Sequence, residues 1–243
     1  IDEVARGLAD MGVGIGTRTL LMVTPSIELF VLTFALQRMG AVPVLLDPAM
    51  GRANVLNAIS EVEPEAFIAI PKGHVARLLF KKNFSSVKQL VTVGNKMGWG
   101  GVTLAEVKER GRELEGDPMA HTVASDLAAI LFTSGSTGAP KGVLYTHGSF
   151  EAQVKIFEDI FGIQAGEGEL SAFPLFSLFS AALGVTVIVP DMDATKPAEV
   201  SPFNITEAID DHGITYAFGS PAFWRVLVPA WEEANYVPQS MLR

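Results

Sequence analysis

The sequence predicts an α/β fold of layered β-sheets flanked by helices, and three observations carry that reading. Apolar runs of strand length alternate with longer stretches whose apolar residues recur at helical spacing. Hydrophobic residues make up 49% of the 243, enough for a sizeable core in one large domain or two packed subdomains. Charged residues make up only 19%, which argues against a disordered chain. Strands separated by helical crossovers pair in parallel, so a mostly parallel sheet covered by helices is expected.

The elements follow in order. Ile1 to Leu8 reads as part of a helix. Arg18 to Val23 is a buried strand, and Pro25-Ser26 opens a helix running to about Met39. Ala41 to Leu46 is the next strand, stopped by Asp47-Pro48. A helix over Asn54 to Val62, a strand over Ala66 to Ile70 and a helix over His74 to Lys81 come next. Leu90 to Val93 is a strand, followed by a Gly-rich turn at 94–101 and a helix over Leu104 to Arg110. The polar stretch Arg112 to Ser125 reads as a surface connection, with a subdomain boundary expected there. Strands over Leu127 to Phe132 and Gly142 to Thr146 and a helix over Gly148 to Phe161 resume the pattern. The last third offers a strand over Val185 to Val189, a helix over Ile205 to Asp211, a strand over Ile214 to Phe218 and a helix over Phe223 to Ala234.

Charge and composition remove several function classes. A net charge of -9 argues against a nucleic-acid partner held by phosphate neutralisation, although a small phosphate ligand responds to local donors instead. With no cysteine, disulfide frameworks, thiolate metal sites and Cys nucleophiles are all excluded. No transmembrane segment is expected, because the most apolar stretch, Leu29 to Leu46, is broken by Gln37, Arg38, Gly40 and Pro43. No signal peptide is recognisable, and a cytoplasmic location is the expectation.

The chemistry concentrates between the strands Leu127–Phe132 and Gly142–Thr146. There the chain carries Thr133, Ser134, Gly135, Ser136, Thr137 and Gly138, then Ala139, Pro140 and Lys141. Glycines let backbone N–H groups turn inward as an anion nest, and hydroxyls add rotatable donors. Lys141 is the only Lys or Arg between Arg112 and Lys155, a single cation in uncharged surroundings. Pro140 stiffens the loop beside it. Together these describe a triphosphate cradle, against the plainer reading of an exposed Ser/Gly loop. A Walker A loop fails on spacing, since Gly142 follows Lys141 and a strand comes next. A hydrolase nucleophile elbow fails too, because Ser134 stands where G-x-S-x-G around Ser136 needs Gly.

The stretch Thr133 to Val143, with Thr146-His147 after it, resembles the signature loop of the AMP-forming acyl-CoA synthetase, luciferase and adenylation-domain superfamily. Gly40 to Pro48 resembles that superfamily's strand into its first loop. Phe173-Pro174-Leu175-Phe176 resembles the segment beside its acyl pocket, and Ile214 to Pro221 a later strand and turn. Acyl-CoA-forming members commonly carry His after the Pro-Leu-Phe triplet, where this chain has Ser177. With Pro190-Asp191-Met192-Asp193 and Phe218 to Ala222, the pattern is closer to the olefin-biosynthesis β-lactone synthetase branch.

The resemblance implies ATP-dependent activation of a long-chain fatty or β-hydroxy fatty carboxylate as acyl-AMP, followed by β-lactone formation. A fatty acyl-CoA synthetase is the alternative, and CoA would be a substrate in that case alone. A non-catalytic nucleotide- or acyl-binding module is the alternative of another class, and a Ser hydrolase acting through Ser136 a more distant one. ATP and Mg²⁺ are the expected cofactors, the fatty acid the expected partner, with other enzymes of the same pathway as further partners. Lys141 is the expected catalytic residue, and Thr133, Ser134, Gly135, Ser136, Thr137 and Gly138 join it on the phosphates. Phe176, Ser177, Phe179, Phe218, Gly219, Ser220 and Pro221 are assigned to the substrate pocket, each aromatic being by itself an ordinary core residue.

The four histidines show no metal spacing, and no metal site is assigned to the chain. His147 reads as the start of a helix after Thr146 rather than as a catalytic group. Asp191/Asp193 and Asp210/Asp211 read as surface or turn pairs. The superfamily's adenine, ribose and C-terminal-domain motifs do not occur before Arg243. The chain is therefore expected to be a partial N-terminal adenylation domain, without the C-terminal domain and incomplete as a catalyst by itself.

Overall fold

A strand whose residues are apolar on both faces needs cover on both sides. Residues Ala66-Phe67-Ile68-Ala69 meet that condition, since all four are buried. Phe67 is wholly inaccessible, with its ring centroid 5.1 Å from those of both Phe84 and His74. Burying such a side chain contributes about 1.5–3 kcal/mol. The computed structural model describes residues 1–47, 50–133 and 141–241, with Thr133 described by its backbone alone. The chain forms two units, residues 1–149 and 150–243.

In the first unit the strands are β1 (Arg18–Met22), β2 (Val42–Leu46), β3 (Ala66–Ala69), β4 (Gln89–Thr92), β5 (Val102–Thr103), β6 (Leu127–Thr133) and β7 (Lys141–Thr146). Among the described residues they form one sheet in the order β5-β4-β3-β1-β2-β6-β7. Every pairing is parallel except β6 with β7, which is antiparallel. The crossovers carry α2 (Ile27–Arg38), α3 (Arg52–Val62) and α4 (Pro71–Leu79), as the alternation in sequence requires. Pro43 is tolerated inside β2 because that strand pairs with β6 from Val44 onward, so the residue lacking an N–H precedes that ladder. Leu20, Val42, Val44, Ile59, Phe67, Ile130 and Phe132 meet in one core cluster.

Helices α1 (Asp2–Asp10) and α5 (Leu104–Glu113) also pack on each other in this unit. A Cβ on Gly7 would overlap the carbonyl of Val107, and one on Gly111 the carbonyl of Glu3, so glycine is required where the two backbones touch. Helix α5 begins with a reciprocal cap. Thr103 Oγ1 accepts from Glu106 N–H at 3.1 Å, and Glu106 Oε2 accepts from Thr103 N–H at 2.6 Å. Residues 112–125, expected to hold a boundary, lie inside the first unit. The reason is topological: β6 pairs with β2 and carries the chain back into the first sheet, and the division falls at 149/150.

The second unit has a three-stranded parallel sheet among its described residues. Strand β8 (Gly168–Leu170) lies between β10 (Tyr216–Ala217) and β9 (Thr186–Ile188). Its helices are α7 (Ser177–Ala182), α8 (Pro202–His212) and α9 (Pro221–Glu233), while α6 (His147–Asp159) spans the division. Ser201-Pro202 and Ser220-Pro221 start α8 and α9 alike, with Ser as N-cap acceptor and Pro at the first position, where no N–H is missed. Gly213 ends α8 at φ +58, the left-handed conformation glycine adopts without strain. Leu170, Ile205, Ile209, Ile214, Phe223 and Leu227 form the core. The sequence reading did not place β8 or α7.

Candidate functional site

The loop expected to hold phosphate connects β6 to β7. Thr133 and Lys141 are paired across the antiparallel ladder, so the seven residues 134–140 leave and return at adjacent points. Hairpins close with about 2–5 residues, so this connection is longer than the turn itself requires. Ser134, Gly135, Ser136, Thr137, Gly138, Ala139 and Pro140 lie outside the described residues, as does the side chain of Thr133. What the structure fixes is the two ends. Phe132 is buried at the end of β6, and a Cβ on Gly142 would come within 3.0 Å of its ring, so glycine lets β7 lie on it. Lys141 is exposed at the first position of β7 and forms no ion pair with any described residue. The Gly40–Pro48 segment arrives beside it: Asp47 N–H donates to Phe132 O at 3.3 Å. Pro48 lies outside the described residues.

At the far end of β7, Thr146 Oγ1 accepts from Ser149 N–H at 3.1 Å, so Thr146 caps α6 and His147 is the first residue of that helix. Asp193 Oδ1 accepts from Thr195 N–H and Asp210 Oδ1 from Tyr236 OH, the local turn and surface roles expected of those pairs. Hydroxyls, backbone N–H groups and one ammonium form a donor set whose chemistry suits a polyphosphate such as that of ATP. The loop contains no carboxylate, and among the described residues no group of three or more His, Asp or Glu gathers to hold a metal.

The residues assigned to an acyl pocket belong to the second unit. Phe176 stacks on Phe218 with centroids 4.3 Å apart, and Phe173 lies 5.3 Å from Phe176. Phe179 closes the group at 6.1 Å from Phe176, with Phe150 and Phe157 behind it. The rings run from buried Phe157 and Phe179 to Phe173 and Phe218, which are 38% and 39% exposed. Gly219, Ser220 and Pro221 form the start of α9. A Cβ on Gly219 would meet the Phe223 ring at 2.6 Å, and Ser220 Oγ accepts from Phe223 N–H at 3.3 Å. This turn holds Phe218 at the exposed end of the aromatic group.

Ser177 stands apart from these rings. It is fully buried, with Oγ 3.0 Å from Glu169 Oε1 and 2.7 Å from Ser171 Oγ. Its hydroxyl faces β8 inside the unit. Glu169 is itself inaccessible, and burial pushes its carboxyl up to about 7, with the Ser180 and Ser177 hydroxyls partly opposing that shift. Ser180 Oγ lies near enough to act on the charge but makes no hydrogen bond within ordinary distance and angle limits. Sequence reading missed Glu169. The signal available was an acid directly before Leu170, eight residues ahead of Ser177.

A mostly parallel sheet flanked by helices defines an α/β class. The chain belongs to the AMP-binding enzyme family, which it matches over residues 1–243. It is 51% identical over 227 residues to the olefin beta-lactone synthetase of Stenotrophomonas maltophilia (strain K279a), covering 93% of this chain and 41% of that protein. It is 48% identical over 226 residues to the olefin beta-lactone synthetase of Xanthomonas campestris pv. campestris, covering 93% and 40%. The chain thus spans about two fifths of the length of these relatives. The fold is similar to the inhibitor-bound N-terminal domain of FACL13 from Mycobacterium tuberculosis, with a TM-score of 0.79 at 22% identity, covering 99% of this chain and 58% of that one.

Proposed function

We propose that the protein carrying this chain activates a long-chain fatty or β-hydroxy fatty acid with ATP and closes the product to a β-lactone. The observation that carries this reading is the loop at Thr133–Gly142: four hydroxyls, glycines and Lys141, leaving and re-entering the sheet at one paired position. The 51% identity to an olefin beta-lactone synthetase supports the choice of branch.

In the first step a carboxylate oxygen attacks the α-phosphorus. A P–O bond forms, the bond to the β-phosphate oxygen breaks, and pyrophosphate leaves with acyl-AMP formed. Two anions must approach in line, so charge has to be offset where it develops. Lys141 and the N–H and O–H groups of Thr133–Gly138 hold the β- and γ-phosphates. The Phe173–Phe176–Phe179–Phe218 group offers an apolar surface for the chain. In the second step the β-hydroxyl oxygen attacks the acyl carbon, the acyl C–O bond to AMP breaks, the hydroxyl proton passes to solvent and AMP departs.

The test uses the complete protein, ATP and a long-chain β-hydroxy acid, with and without CoA. AMP and β-lactone in the absence of CoA are expected. Acyl-CoA formed only when CoA is present would replace this reading with that of a fatty acyl-CoA synthetase. Weak ATP binding with no AMP from any acid would leave a binding module.

A further inference from the structure

Glu169 is a costly residue to bury. It is the middle residue of β8, flanked by β9 and β10, and wholly inaccessible. One carboxyl oxygen bonds Ser177, and the other finds no hydrogen-bond partner among the described residues. A buried carboxyl with a single good bond forfeits much of its hydration. What it does hold is specific. Ser177 is the first residue of α7, and Phe176 immediately precedes it. The Ser177 hydroxyl ties that turn to β8 at Glu169 and to Ser171 just beyond the strand.

A hydroxyl carries one proton, so Ser177 donates to one neighbour and accepts from the other. With Glu169 ionised the direction runs Ser171 to Ser177 to Glu169; with Glu169 protonated it reverses. The chain of bonds survives in either state. The rings it anchors are those of the aromatic group: Phe176 beside Ser177, and Phe179 half a turn further along α7.

We propose that Glu169 is a positioning residue for the acid substrate: through Ser177 it fixes the start of α7, and with it the Phe176 and Phe179 rings that meet the acyl chain. This inference rests on the carboxylate-activating reading above. It assigns Glu169 no contact with ATP or with the reacting carboxylate. Its removal acts on how tightly and at what chain length the acid is held, and leaves the nucleotide side unchanged.

Acid-dependent ATP–pyrophosphate exchange by the complete protein tests it, with fatty acids of several lengths, their β-hydroxy forms and aryl acids. Glu169→Leu is expected to raise KM for the preferred acid about tenfold and shift the preferred length, with KM for ATP within about twofold. Glu169→Gln keeps the shape and an acceptor for Ser177, and stays within about threefold of wild type. Ser177→Ala moves the acid KM in the same direction as Glu169→Leu, and decides the matter if the leucine variant does not fold. Equal losses for acid and ATP, or an unchanged acid KM and length profile in folded variants, would overturn the positioning role. Exchange with aryl but not fatty acids would overturn the proposed substrate class, with Glu169 then judged on the aryl-acid KM. Exchange with no acid would sink both.

Discussion

Residues 1–149 are built on a sheet that is parallel except at β6–β7 and residues 150–243 on a parallel one, and each unit buries a different titratable group. The first unit buries His74 completely: Nε2 lies 3.0 Å from Val91 O and 3.2 Å from Thr92 Oγ1, the ring stacks on Trp99 at 5.3 Å, and Nδ1 has no hydrogen-bond partner among the described residues. Trp99 Nε1 in turn donates to Thr92 Oγ1 at 2.9 Å. The second unit buries Glu169 in a strand of its smaller sheet with one good hydrogen bond to a side chain. A histidine can be neutral at ordinary pH and so enters a core cheaply. An ordinary carboxyl is ionised there, and burial pushes Glu169 up to about 7, toward its neutral form.

The two groups therefore pull stability in opposite directions with pH, and that opposition can be broken one residue at a time. The larger effect belongs to Glu169. Its pKa is higher folded than unfolded, so the folded state holds the proton more tightly. Stability falls as pH rises from 4.5 through about 7, by up to about 3 kcal/mol for a shift of that size. Glu169→Gln has no proton to lose, and its thermal unfolding profile is expected to lose that decline. An unchanged decline would place the titrating group elsewhere.

His74 gives the smaller effect and the opposite sign. Burial lowers its pKa, so the unfolded chain takes up a proton that the folded one refuses. Its contribution is complete above 6.5 and is lost as pH falls below that value. His74→Gln is expected to remove this acid-side loss while weakening the protein at all pH through the lost stack on Trp99. Retention of the acid-side loss would show that carboxylates elsewhere cause it.

The same contrast explains what the sequence did and did not reveal. Strands β1, β2, β3 and β6 announce themselves because Leu20, Val44, Phe67 and Ile130 sit in apolar runs bounded by turn residues. Strand β8 is three residues long with an acid at its centre, and Glu169 in Gly-Glu-Gly-Glu-Leu looks like surface. Local pattern cannot show that two neighbouring strands and three serines close over a carboxyl. For the same reason Ser177 could be noticed as a departure from a family pattern, but its turn toward β8 could not. The short β5 was hidden by the glycines before it, and α7 by its six-residue length. The connection from β6 to β7 was legible because two strand-length apolar runs flank it, and their ends pair at Thr133 and Lys141.

Acid-dependent ATP–pyrophosphate exchange by the complete protein, comparing wild type with Lys141→Ala, bears most directly on the proposed role of that loop. Wild type is expected to exchange label only when a long-chain acid is present. Lys141 is exposed at the first position of β7, so its truncation should leave the fold intact. Loss of its charge from the phosphates should slow exchange on the order of a hundredfold. Exchange unchanged in a folded Lys141→Ala protein, or absent from wild type with every acid, would contradict the assignment of Thr133–Gly142 to adenylate formation.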